Sequence, residues 1–204
     1  MNSLYLASQS PRRRELLTQI GVQYQMVSVD VPEQREACES PSDYVCRLAL
    51  QKARAGFQAL QSRRLCSSEE LAKAVVLGAD TLGVLGDEVF EKPLDHNHAR
   101  QMLRQLSGAS HQILSAVALV SGERHALRLV TTQVNFRELS DEEIDAYWAS
   151  GEPCDKAGAY GIQGLGAVFV KSIEGSYSGV VGLPLTETAE LLKDFCVPVW
   201  QAQD

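Results

Sequence analysis

Three features of the sequence predict an α/β fold. The chain opens on Ser3 to Ala7, mostly apolar and β-forming, runs through a tight turn and enters a helical pattern at Pro11. A second run, Ala74-Val75-Val76-Leu77-Gly78, is short and nearly all apolar, as in a strand buried in a central sheet. Between them, Ser40-Pro41 opens a long helix whose apolar positions Val45, Leu48, Ala49, Ala53 and Phe57 recur at helical spacing. A chain of 204 residues is long enough for one sizeable α/β domain, or for two small lobes around a cleft.

The elements follow in order. In the first helix Leu16, Leu17 and Ile20 supply a buried side, and Gly21 ends it. Tyr24 to Val31 reads as a second strand, followed by the polar loop Pro32 to Glu36. The long helix after Pro41 carries Arg47, Lys52 and Arg54 on its other faces, and Gln61 to Lys73 reads as a polar surface excursion. The buried strand ends at Ala79-Asp80-Thr81; Leu82 to Leu85, Gly86-Asp87 and Glu88 to Phe90 then form a hairpin, left through Glu91-Lys92-Pro93. Asp95 caps a helix containing Ala99, Met102, Leu103 and Leu106, closed by Gly108. His111 to Val120 and His125 to Phe136 are an antiparallel strand pair, and Ser140 to Glu143 is the capping box of a helix with Ile144, Tyr147 and Trp148. The stretch Asp155 to Gly166 holds four glycines in nine residues, which implies backbone approaching something closely. Ala167 to Ile173 reads as a strand, and Pro184 opens a closing helix with Leu185, Leu191, Leu192 and Phe195.

Composition narrows the function. Hydrophobic content of 45% and charged content of 22% are those of an ordinary globular protein. A net charge of -7 argues against a broad nucleic-acid or membrane-binding surface, which needs a positive field. The N-terminus lacks the basic-then-apolar pattern of a secretory signal, so the expected location is cytoplasmic. The five cysteines, Cys38, Cys46, Cys66, Cys154 and Cys196, are scattered and without a Cys-x-x-Cys pair, and read as reduced and incidental. The histidines lack a zinc spacing.

One local conflict points to chemistry. Arg12, Arg13 and Arg14 stand in the first turn of a helix, where the free amides already carry positive charge. An anion resolves this: amides, the hydroxyls of Ser8 and Ser10, and guanidinium groups at one helix start make a phosphate site. The alternative is a solvated basic face, because successive helical residues diverge by about 100 degrees. Asp80, at a buried strand's exit, stands where open α/β sheets place ligands, although such an aspartate also serves as a turn former. Glu33 and Glu91 are further loop acids able to share a hard cation such as Mg2+. Lys52 and Lys92 are candidate phosphate contacts. As a set, these residues favour chemistry at a nucleotide phosphate.

Seven segments then appear as an ordered set: Ser8-Gln9-Ser10-Pro11-Arg12-Arg13, Glu33, Arg47-Leu48-Ala49 with Lys52-Ala53, Gly78 to Thr81, Glu91-Lys92-Pro93, Leu106-Ser107-Gly108 and Gly158 to Gly164. In them the sequence closely resembles the Maf family of nucleoside triphosphate pyrophosphatases, from about Leu4 to Phe195, with Gln61 to Lys73 the least typical stretch. The resemblance implies that residues 1–204 form a single domain of this family: an elongated mixed β-sheet flanked by helices, with two lobes around a central cleft. It also implies hydrolysis between the α and β phosphates, a divalent cation (Mg2+ or Mn2+) and a homodimer.

By motif position the resemblance makes Asp80 the proton acceptor or a cation ligand, and Glu33 a second ligand. Ser8, Arg13, Lys52 and Lys92 would hold phosphates. Arg12, Thr81 and Gln163 resemble the group acting on dTTP and UTP, where the 7-methyl-GTP group has Trp, Gln and Glu. Gln163 offers a donor and an acceptor to a pyrimidine edge, and 5-methyl-UTP or pseudo-UTP would pass the same test. Arg14 is assigned to the surface. A nucleotide-binding regulator of septum formation, working without turnover, is the alternative in another class.

Overall fold

The computed structural model describes residues 1–62 and 67–201. Positions 63–66 of the expected surface excursion, Cys66 among them, lie outside the described residues. Among the described residues seven strands form one mixed sheet in the order β2-β1-β3-β5-β6-β7, with β4 paired to β3; these are β1 Ser3–Leu6, β2 Tyr24–Met26, β3 Ala74–Leu85, β4 Glu88–Phe90, β5 Ser110–Ser121, β6 Arg124–Phe136 and β7 Val170–Glu174. β1 runs parallel to β2 and β3, whereas β3–β4 and β6–β7 are antiparallel. The chain gathers into two compact units: residues 1–81, 115–129 and 182–204, and residues 82–114 and 130–181.

The first unit is built on β1 and the first part of β3. Helix α1, Pro11–Gln19, follows β1 directly and buries Leu16 and Leu17. Helix α2, Pro41–Ser62, buries the expected positions Val45, Leu48, Ala49, Ala53 and Phe57. Lys52 departs from the expected outer face: it is buried along with them. The expected strand Tyr24 to Val31 stops at Met26, because β1 offers only Leu4 to Leu6 for pairing. Within the polar excursion a short helix, α3 Ser68–Ala72, starts from a capping box between Ser67 and Glu70.

The second unit packs α4, His96–Leu106, and α5, Asp141–Ala149, around a core that includes Phe90, Met102, Leu103, Val134, Phe136 and Phe169. Both predicted caps are present: Asp95 accepts from His98 N at 2.8 Å, and Ser140 forms the capping box with Glu143. The expected strand from Ala167 begins later, at Val170, since Leu165–Phe169 is a 3₁₀ turn closed by Ala167 N donating to Gly164 O at 3.1 Å. Helix α6, Tyr177–Val181, follows β7 in this unit, and α7, Leu185–Asp194, is the closing helix of the first. Among the described residues no helix is long and apolar enough to cross a membrane.

Candidate active site

Asp80 lies inside β3 rather than at a strand exit, because β3 continues without a break to Leu85. Side chains two apart share a strand face, so Asp80 points the same way as Gly78. Gly78 is where α2 touches the strand: a Cβ there would overlap the backbone of Ala49 and Ala53. The helix therefore rests on the strand with no side chain between them, and Lys52, on the buried face of α2, reaches Asp80. Lys52 Nζ donates to Asp80 Oδ1 at 2.7 Å and to Glu33 Oε1 at 2.5 Å. Lys52 and Asp80 are buried, while the Glu33 side chain, in the loop after β2, is 58% exposed. Burial pushes the Asp80 carboxyl above the usual aspartate range, against the pull of Lys52 and Arg13 in the opposite direction.

The arginine run at the start of α1 divides. Arg13 Nε donates to Gly182 O at 2.9 Å, Nη1 to Ser8 Oγ at 3.1 Å and Nη2 to Thr81 Oγ1 at 3.4 Å. Thr81 also shares a 3.1 Å hydrogen bond with buried Ser115. Burial lowers the pKa of Arg13, while the charges of Asp80 and Glu33 support its protonated form. Ser10 occupies the cap position without a side-chain cap bond; Ser8 Oγ instead accepts from Ser10 N at 3.3 Å. Arg12 is half-buried and Arg14 exposed. The first unit thus gathers Ser8, Arg13 and Thr81 in one hydrogen-bonded group and Glu33, Lys52 and Asp80 in another, linked by the charge of Arg13 acting on Asp80 and Glu33.

Lys92 and Gln163 belong to the second unit, and both are exposed there. Their segments adjoin: Gly158 N donates to Glu91 O at 3.1 Å, one residue before Lys92. The close approach implied by the glycines is to the protein's own side chains. A Cβ at Gly164 would overlap the Glu152 carboxylate, and one at Gly166 would come within 2.6 Å of Tyr147 Oη. Sequence reasoning missed Glu152, and it gave no role to Tyr147 beyond its helix position or to Arg47 beyond its motif segment. Arg47 grips the loop that carries Glu33: Nε and Nη2 donate to the two carboxylate oxygens of Glu39 at 2.6 and 2.7 Å, and Nη2 donates to Gln34 O at 3.0 Å. The available signal was an arginine five residues before Lys52 on the same helix, after a loop with three glutamates.

Two carboxylate oxygens within 2.7 Å of one ammonium nitrogen form a donor set that suits a hard cation. Among the described residues no group of three or more His, Cys, Asp or Glu side chains is arranged to hold a metal. Cys38, Cys46, Cys154 and Cys196 carry free thiols.

The sequence matches the family described as Maf-like protein over residues 3–195. The chain belongs to the Maf family. Similar curated relatives match nearly its whole length. A dTTP/UTP pyrophosphatase of Saccharophagus degradans is 55% identical over 200 residues, covering 97% of this chain and 91% of that one. One from Escherichia coli O157:H7 is 56% identical over 196 residues, covering 96% and 94%, and one from E. coli K12 is 54% identical over 195, with the same coverage.

Proposed function

We propose that this chain is a nucleoside triphosphate pyrophosphatase that hydrolyses dTTP and UTP to the monophosphate and pyrophosphate. The observation that carries this reading is the buried Lys52–Asp80 pair, with Glu33 on the same ammonium and Arg13 nearby, in a chain about 55% identical to proteins named for that activity. Pyrimidine nucleotides modified at the base, such as 5-methyl-UTP, fall within the same reading.

Asp80 accepts the proton of the attacking water at its carboxylate. Lys52 holds that carboxylate in place and lends positive charge to the phosphates as negative charge develops on departing pyrophosphate. Arg13, oriented by Ser8 and Thr81, presents a fixed guanidinium to a phosphate. Arg12 is a specificity position beside it. Roles for Lys92 at phosphate and for Gln163 at the base edge rest on the motif resemblance alone. Glu33 would hold Mg2+ or Mn2+, with Asp80 as its second ligand in the alternative to acting as the base, and the cation would supply charge neutralisation and polarisation of the phosphorus centre. A homodimer in the cytoplasm completes the reading.

The test is pyrophosphate release by the purified protein with dTTP, UTP, GTP and ATP, each with Mg2+ or Mn2+. The expected result is faster turnover of dTTP and UTP. Equal or faster turnover of GTP or ATP overturns the specificity, and no release with any nucleotide overturns the activity.

A further inference from the structure

We propose that Glu152 and Tyr147 are positioning residues for substrate selection, holding the glycine-rich loop so that Gln163 presents its amide in one orientation to the pyrimidine edge. The proposal rests on the base-reading role given to Gln163 above.

The geometry places one carboxylate at the centre of the loop. Glu152 Oε2 accepts from Leu165 N at 2.8 Å, while Oε1 accepts from Gly166 N at 3.1 Å and from Tyr147 Oη at 2.8 Å. Tyr147 Oη in turn accepts from Gly161 N at 3.1 Å. Both sides of Gln163, Gly161 before it and Leu165 and Gly166 after it, are thereby tied to the same pair of side chains. A turn directly across Gln163 is closed by Gly164 N donating to Gly161 O at 3.2 Å. The loop's glycines are spent on this embrace, since a side chain at Gly164 would occupy the carboxylate's place. Partial burial acts to raise the Glu152 carboxyl, but the bonds from Leu165, Gly166 and Tyr147 prevail and hold it below the usual range, so it accepts as an anion.

The loop is also fixed at its start. Ala159 adopts φ of 57°, a backbone region that side chains disfavour, and persists there fully buried. Next to it, Tyr160 Oη and His111 Nε2 share a 2.9 Å hydrogen bond inside the core. The loop is therefore over-determined at both ends, while Gln163 between them is exposed. That is the arrangement of a rigid mount for one polar group.

Glu152→Gln tests the mount. The amide keeps the shape but offers one acceptor oxygen, so an NH2 group must face a donor that the carboxylate accepted. Tyr147→Phe is the milder second variant, removing only the hydroxyl and keeping the ring. The measurement is kcat and KM for UTP and CTP in each variant, in Gln163→Ala, and in the double variants. The expected outcome is a roughly tenfold fall in the UTP-over-CTP ratio of kcat/KM for Glu152→Gln, carried more by KM than by kcat, with no further fall when it is added to Gln163→Ala. A role in stability alone would leave that ratio unchanged or give effects that add, and either result overturns the proposal. Should Gln163→Ala itself leave the ratio at the wild-type value, the base-reading role fails and this proposal with it. A ratio that moves for Gln163→Ala but not for Glu152→Gln or Tyr147→Phe overturns the positioning role only.

Discussion

Lys52 and Asp80 meet at 2.7 Å with side chains only 11% and 9% exposed, and burial outweighs the ammonium in shifting the pKa of the carboxyl, which lies above the usual range. Asp80 thus takes up its proton at a higher pH than a solvated aspartate, whose pKa is about 3.9. If the ionised form is the base, kcat/KM falls with acid along a limb lying above that value, and Lys52→Met moves the limb to still higher pH. The stability sign is the reverse of the usual aspartate case. A carboxyl raised in the fold stabilises it at low pH, and that contribution is lost as pH rises through the folded value. Asp80→Asn is expected to lose about 10²- to 10⁴-fold in kcat. Retained activity removes Asp80 from the mechanism, and a large drop in Tm shows that its charge is structural.

Arg13 and Arg14 are adjacent in sequence and opposite in consequence. Arg13 spends Nε, Nη1 and Nη2 on three separate acceptors, a fork that a lysine cannot reproduce. Arg13→Lys should lower kcat/KM for dTTP by about a hundredfold, equivalent to the loss of about 2.7 kcal/mol of transition-state binding. Arg14 is exposed, and Arg14→Gln should stay within twofold of wild type. Equal effects of the two substitutions would return the run to a solvated basic face.

Local chemistry made much of this fold legible. The strand, turn and helix around Ser8, the cap at Asp95 and the box at Ser140 are each specified within a few residues, and each is present. Lys52 was misplaced because a lysine at helical spacing is ordinarily solvated, and its burial is bearable through two carboxylates far away in sequence, Asp80 at 28 positions and Glu33 at 19. The continuity of β3 was hidden for the same reason: a central strand rarely carries an aspartate, so Asp80-Thr81 resembled an end. Glu152 was invisible because its acceptors' partners include backbone amides 13 and 14 residues on, which no side-chain pattern announces. The glycines signalled that something came close without saying what.

Arg47 is expected to matter through Glu33. Its guanidinium binds both oxygens of Glu39 and the carbonyl of Gln34, so it fixes the loop on which Glu33 stands. The hydrogen bonds from Arg47 hold the Glu39 carboxyl down to about 2, which keeps the fork charged at any assay pH near neutrality. Arg47→Ala should lower kcat/KM about tenfold and raise the Mg2+ concentration for half-maximal rate. Arg47→Lys should fail to restore either, because one ammonium cannot replace the two-pronged contact. A change in Tm with no change in the cation titration would confine Arg47 to stability.

Two glycines of β3 make opposite predictions. At Gly78 an added Cβ meets the carbonyl oxygen of Ala49 and the amide nitrogen of Ala53, which are backbone atoms of α2, so trimming side chains cannot make room. Gly78→Ala must push helix and strand apart, and overpacking of this kind costs about 1–3 kcal/mol. For a chain of this size that is a Tm lower by about 2–12 °C. Because the same contact delivers Lys52 to Asp80, kcat should fall by tenfold or more, as small displacements of catalytic groups do. At Gly83 the added Cβ meets Phe90 Cβ at 3.6 Å and Ile113 Cδ1 at 3.7 Å, which are ordinary packing distances. Gly83→Ala should therefore be neutral or slightly stabilising, since it narrows the freedom of the unfolded chain. Thermal unfolding and dTTP turnover of the two variants side by side decide the matter: equal losses would mean that β3 merely dislikes alanine, whereas a loss at Gly78 alone assigns it to the seat of α2.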